Sequence, residues 1–415
     1  TTNSINSIKF KMRIAVFSTL MCLAFAMPKG RQVLHLHEER APGEFLVVLR
    51  QPSTRTSNIQ YASAVTEKIA ALSSKITVVK KFTNLMTPIL LVKTSEENIM
   101  SSLFQLQEVD VIESNTVQKM AQRSQDCTSQ NTGSQLWGLS RVSSVPMPNY
   151  NSATFNYDTS DGEGVRVYVL DTGIRLTHQD FGGRAVFGYN AAGSSDEDRN
   201  GHGTHCAGTV LGTQFGVAKK ATAVAVKVLN DLGVGLISYT IDGLDFAVGD
   251  IQSSGGPGVI SMSLGGGANE ATDSAVNSAD AAGIPVVVAA GNDNDDACDY
   301  SPARASGVIT VGNVNIDDVL YDGSQGSNYG SCVDILAPGT NILSASHQSD
   351  TGSVAFTGTS MACPHVAGLA AKYLSQNPNA SSAQVKSFIY STATPNAIDL
   401  RGTSGTPNLL MYSSC

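Results

Sequence analysis

Charge is scarce in this 415-residue sequence. Asp, Glu, Lys and Arg make up 15% of it, against about 25% in an ordinary globular chain. That excludes a charged coiled coil and a charge-rich disordered chain. No apolar run reaches the ~20 residues that a membrane-spanning helix needs, so no membrane partner is expected. There is no Cys-x-x-Cys, which argues against a cysteine zinc site. There is no His-Glu-x-x-His, the helix that metalloproteases use. A Gly-x-Ser-x-Gly elbow is also missing, and with it the α/β-hydrolase arrangement. Basic residues are sparse from 124 onward: 12 against 26 acidic ones, a net −14. Such a unit has no electrostatic footprint for nucleic acid. Its acidity reads first as solubility.

What remains is 41% hydrophobic residues and 39 glycines, the composition of a compact, loop-rich globular protein. The length suggests two or three units. Met12-Arg13 opens an apolar stretch, Ile14 to Phe25, and Ala24-Phe25-Ala26 follows as a small-x-small cleavage pattern. Residues 12–26 therefore read as a secretory signal peptide, with residues 1–11 outside the functional protein. The product is expected outside the cell. Six cysteines remain after the signal: Cys127, Cys206, Cys298, Cys332, Cys363 and Cys415. In an oxidising compartment they can pair, and spacing alone allows 15 complete pairings.

Residues 27–123 read as a separate small unit with its core at 44–119. Strand patterns at 44–49, 76–79, 89–92 and 109–112 alternate with helical spacing at 58–72 and 97–106. That order, βαββαβ, is ferredoxin-like. A polar stretch, 122–135, shows no apolar period and reads as a linker. Residues 124–415 change pattern. Continuous apolar runs at 165–170, 223–229, 259–264, 284–290, 308–311 and 333–336 alternate with helical stretches such as 236–251 and 271–282. Buried strands alternating with helices predict a mainly parallel sheet covered on both faces. Sites in such sheets gather at the carboxyl ends of strands.

Four residues stand at such places. Asp171 ends an apolar strand in Asp-Thr-Gly. His202 lies in Asn-Gly-His-Gly-Thr-His, where glycines leave the ring accessible. Asn292 follows the strand Val-Val-Val-Ala-Ala-Gly. Ser360, in Gly-Thr-Ser-Met-Ala, opens a small-residue helix whose free amides favour a developing anion. Singly, each has a plainer reading: a turn acid, a structural histidine, a turn asparagine and an N-cap serine. Together they match the order Asp, His, Ser of one convergent triad. A serine hydroxyl needs a base to take its proton, and the base needs an acid to fix its tautomer. Asn292 would then donate to the oxyanion.

The segments VLDTGI, NGHGTHCAGT, SMSLGG, VVVAAGND and GTSMACPHVAGLAA closely resemble the subtilisin-like serine proteases, nearest to the proteinase K group. The resemblance runs from Trp137 to Leu410. It implies a three-layer α/β/α fold, with Asp171 as acid, His202 as base, Ser360 as nucleophile and Asn292 as oxyanion donor. It implies a zymogen whose small α+β unit is an inhibitory propeptide, cut by the enzyme itself near Met120 or Ala121, or by another enzyme at Arg123. Substrate polypeptide is expected to pair with Gly233-Val-Gly235 and Ser263-Leu264-Gly265. Ala289-Ala290-Gly291 would wall a roomy pocket for apolar or aromatic side chains. No cofactor is expected for the chemistry. Structural calcium is expected at Asp334 with the carbonyls of Ser306 and Val308, and more weakly at Asp399. The resemblance also implies a Cys298–Cys332 bridge and a free, buried Cys206; Cys127–Cys415 is a further expected pair. The enzyme is expected to be a monomer.

One rival reading uses a second Asp-Thr-Gly, 350–352, as the partner of Asp171 in a carboxylate dyad. It leaves His202 and Ser360 without a role. An isolated Asn-x-Ser sequon stands at Asn379, where a helix-capping turn after Pro378 fits equally well.

Overall fold

The structure is a computed structural model that describes residues 33–34, 40–50, 57–84, 87–96, 99–116, 127–193, 195–413 and 415. The signal-peptide segment and the cut sites expected at Met120, Ala121 and Arg123 lie outside the described residues. The chain divides into two compact units, Thr1–Arg123 and Ser124–Cys415.

In the first unit, Ser57 caps the helix Asn58–Leu72 by accepting from the Gln60 N–H. Ala62, Val65 and Ile69, three and four residues apart, form its buried face. They pack against Val47, Leu49, Leu90, Val92 and Ile112 of a sheet. The sheet order is Val33–Leu34, Val109–Thr116, Arg40–Leu49, Ile89–Thr94, Ile76–Phe82. With the helix Ile99–Gln105, the last four strands give the ferredoxin-like order. One expectation needs correction. The strand expected at 109–112 runs on through Glu113 to Thr116. Glu113 pairs with Leu46 and Ser114 with Phe45. Backbone pairing extends this strand beyond its apolar residues, and the buried Ser114 takes the inward position.

The second unit is built on a nine-stranded sheet. Its order is Thr394–Pro395, Leu409–Leu410, Ile335–Pro338, Ile309–Val314, Val286–Ala289, Gly258–Met262, Arg166–Asp171, Thr222–Lys227, Ala185–Asn190. All neighbours run parallel except the first pair. Alternation within one strand assigns the two faces. Val167 and Val169 join a core with Cys206, Val210, Ala362, Val366 and Ala370, from the helices His202–Leu211 and Thr359–Gln376. Tyr168 and Leu170 join a second core with Leu244, Ala247 and Val276, from the helices Ile237–Ser254 and Glu270–Ala281. Helix, sheet and helix make three layers.

The stretch read as a linker is in part a strand. Cys127–Asn131 pairs antiparallel with Thr154–Asp158. It is mostly exposed, so it has no apolar alternation for sequence reading to find. Cys127 is bonded to Cys415, and Cys298 to Cys332. Cys206 and Cys363 are buried free thiols. Loss of the Cys298–Cys332 bridge, whose partners are 34 residues apart, is expected to destabilise the fold by about 3–4 kcal/mol on the chain-entropy account. Denaturant unfolding of the Cys298→Ala, Cys332→Ala double variant measures it.

Candidate active site

Asp171 is the last residue of its strand and is fully buried. The N–H of Thr172 donates to its Oδ1 at 2.7 Å. His202 is the first residue of its helix. Its Nδ1 lies 2.8 and 2.9 Å from the two carboxylate oxygens. A carboxylate only accepts, so Nδ1 carries the proton, and in the neutral ring Nε2 keeps its lone pair. Two glycines allow this approach. Gly201 has φ +105°, and the ring of His347 fills the space a side chain would need. A Cβ on Gly203 would lie 2.1 Å from the carbonyl oxygen of Gly173 and 3.1 Å from the Cβ of Asp171.

Sequence reasoning missed what clamps these two segments together. Asp198 is buried, at 6% exposure. Its Oδ1 accepts from Thr172 Oγ1 at 2.9 Å and from the Gly201 N–H at 2.8 Å. Its Oδ2 accepts from the N–H of Thr204 at 2.9 Å and from the Thr204 hydroxyl. One carboxylate therefore takes the Gly201 N–H at the cap and the Thr204 N–H in the first turn of the His202 helix, and through Thr172 it holds the turn that carries Asp171. The only hint in the sequence is an acid four residues before the histidine.

Ser360 is the second residue of its helix. Its hydroxyl donates to the carbonyl of Ser263 at 3.2 Å. The thiol of Cys206 lies between the two halves of the site, 3.9 Å from His202 Nδ1 and 3.4 Å from the carbonyl of Ser360. Asn292 is oriented through its own oxygen. Oδ1 accepts from the Thr359 N–H at 2.8 Å and the Thr359 hydroxyl at 3.0 Å. Thr359 Oγ1 in turn accepts from the Gly291 N–H. The Nδ2 of Asn292 is thereby turned away from Thr359, beside the start of the serine helix.

A cleft of about 450 Å³ is lined by His202, Gly233, Gly235, Ser263, Leu264 and Gly265, so the two expected substrate edges face one space. Ala289, Ala290 and Gly291 are not among its lining residues. Ala290 is fully buried and belongs to a core beside Leu336 and Val314. The second Asp-Thr-Gly is elsewhere and otherwise engaged: Asp350 accepts from Arg175 Nε at 2.7 Å and Thr177 Oγ1 at 2.6 Å. His205 donates Nε2–H to the carbonyl of Ile342 and stacks on Phe356. Burial pushes its pKa down to about 3, so it is a neutral structural histidine. Among the described residues, Asp171, His202 and Cys206 are the group of three ligand-type side chains close enough to share an ion. Here the carboxylate and imidazole already bond to each other.

Burial alone would disfavour a charge on His202, but the Asp171 carboxylate outweighs it and holds the ring well above the ordinary 6.5. The Cys206 thiol adds no charge near neutrality, because burial pushes its pKa up. With the folded pKa above the unfolded one, the pair's contribution to stability is complete below about pH 6.5. It fades as pH rises through the folded pKa. An NMR titration is expected to place the His202 ring above 6.5. Asp171→Asn should lower it, since the carboxylate that outweighs burial is then gone.

Residues 162–408 match the model of the subtilase family, peptidase S8. The chain is 50% identical over 279 residues to an extracellular serine proteinase of Thermus sp., covering 67% of this chain and 66% of that one. It is 48% identical over 278 residues to subtilisin-like protease 1 of Pseudogymnoascus destructans, covering 67% of each. It spans about two thirds of the length of these relatives. The crystal structure of a cold adapted subtilisin-like serine proteinase superposes with a TM-score of 0.61 at 44% identity, over 67% of this chain and 98% of that one. With the family motifs set on the matching sheet, the chain belongs to the subtilase family.

Proposed function

We propose that this protein is a secreted serine endopeptidase in which Ser360 is the nucleophile, His202 the base, Asp171 the acid and Asn292 an oxyanion donor. The observation that carries the reading is the 2.8 Å contact of His202 Nδ1 with the buried Asp171. It leaves Nε2 free to take a proton from Ser360 as its oxygen attacks the substrate carbonyl carbon. The carbonyl oxygen becomes an anion. The Ser360 N–H, free at the start of its helix, and Asn292 Nδ2 are the groups to receive it. His202 then returns the proton to the leaving amine, and water hydrolyses the acyl enzyme by the same steps in reverse.

Polypeptide enters as an extended strand between Gly233–Gly235 and Ser263–Gly265, held through its main chain. The exposed Leu232, Val234, Leu236 and Ile237 around the first edge support a broad apolar preference. Ala289–Gly291 remain the proposed pocket wall through their backbone. The first unit is proposed to be a propeptide that assists folding and then inhibits, cut by the enzyme itself near Met120 or Ala121, with Arg123 as the alternative site for another enzyme. Ser360→Ala is expected to abolish peptide hydrolysis without loss of fold, and to leave the precursor as one uncleaved chain. Residual hydrolysis at the wild-type rate would overturn the mechanism. Asn292→Ala is expected to lower turnover by about 10²–10³, the loss seen when the same donor is removed from subtilisin, a member of this family.

Calcium is proposed as a structural ligand only. Burial pushes the carboxyl of Asp334 up, and it accepts from the Thr310 N–H at 2.8 Å. The Lys386 charge and the Tyr390 hydroxyl partly offset that burial; a buried carboxylate suits a hard cation, with the carbonyls of Ser306 and Val308 as neutral oxygen donors. Lys386 holds the intervening Gly307 carbonyl at 2.8 Å, so one ammonium already serves that loop. Chelation is expected to lower the melting temperature, because an ion bound only to the folded state stabilises it by mass action. The drop should be absent in Asp334→Ala; a melting temperature indifferent to chelator rejects the site.

A further inference from the structure

The sequon at Asn379 is the single Asn-x-Ser/Thr of the chain, and nothing in the proposed chemistry uses it. It lies where the helix Thr359–Gln376 ends and the helix Ser382–Thr392 begins. Gln376, Asn377, Pro378 and Asn379 are all exposed, with Pro378-Asn379 forming the turn. Ala380 faces inward and packs on the core. The two polar members of the sequon have separate tasks. Ser381 is the N-cap of the second helix: its hydroxyl accepts from the Gln384 N–H, and the Gln384 side chain accepts from the Ser381 N–H at 2.9 Å. The helix-capping turn is therefore made by Ser381, and Asn379 is left facing solvent.

We propose that Asn379 carries an N-linked glycan. This inference rests on the reading of the chain as secreted, since attachment needs the secretory route. In the transfer, Asn379 Nδ2 forms a bond to the anomeric carbon of the first sugar of a lipid-pyrophosphate-linked oligosaccharide. The lipid pyrophosphate leaves with the electron pair, and the displaced Nδ2 proton is lost to a base. The Ser381 hydroxyl is committed to the cap in the folded protein, so transfer precedes formation of that helix. The finished glycan then projects from a turn at the far end of the serine helix. At ~1.5 Å per residue, this lies roughly 25 Å from Ser360, and the sugar leaves the cleft open.

The test is peptide mapping by mass spectrometry of the protein secreted by its source, before and after a peptide N-glycanase, the amidase that releases the glycan and converts the glycosylated Asn to Asp. The expected result is a heterogeneous glycopeptide that collapses to one carrying Asp at 379. Asn379→Gln should lose the glycan with unchanged kcat/KM and an intact helix. Ser381→Thr, which preserves both sequon and cap, should keep it. A secreted, signal-cleaved protein with unmodified Asn379 overturns this inference and leaves the secretion reading standing. A protein that stays in the cell with residues 12–26 attached overturns both.

Discussion

Everything at the site depends on how closely a helix can begin against the end of a strand. His202 reaches Asp171 only because the backbone of Gly203 touches the turn after Asp171, with its carbonyl neighbour Gly173 where a side chain would stand. Any larger residue there would push the helix outward and open the 2.8 Å contact. The cost of bringing so many backbone donors together is met by Asp198, which accepts from both segments at once. A buried acceptor with this many partners is rigid, because moving either segment leaves an amide or hydroxyl unsatisfied.

The same economy of space governs the layer behind the site. The serine helix brings Ala362, Ala367, Ala370 and Ala371 into the core, and Gly368 lies so close to Val217 that an added Cβ would be 2.7 Å from it. Small residues let the serine and histidine helices pack against each other and against the parallel strands. Charge inside this layer is neutralised locally: Lys372 meets Asp161 at 3.0 Å, and Arg141 grips Asp318 through two nitrogens. Breaking such a buried pair is costlier than never having made it.

Much of this was legible in the sequence. Continuous apolar runs gave the parallel sheet because strands covered on both faces have no polar side to show. The four residues proposed to carry the chemistry could be picked out because each stands at a strand end or helix start, with glycines around it. Asp198 was not legible, since its role lies in backbone donors that the chain brings together only when folded. Cys127–Asn131 escaped because an exposed two-stranded ribbon needs no apolar alternation. Glu113–Thr116 escaped because its strand continues on backbone pairing with polar side chains.

The bond between Cys127 and Cys415 joins residues 288 positions apart, close to the two ends of the second unit. Covalently, that unit is a ring. A ring cut once becomes an open thread of unchanged mass apart from one water, and no fragment can drift away. Two cuts are needed before any piece is released, and a cut between Cys298 and Cys332 is held by a second closed loop. For a chain proposed to cleave polypeptides in the company of its own copies, an accidental nick therefore leaves every part still joined to the rest.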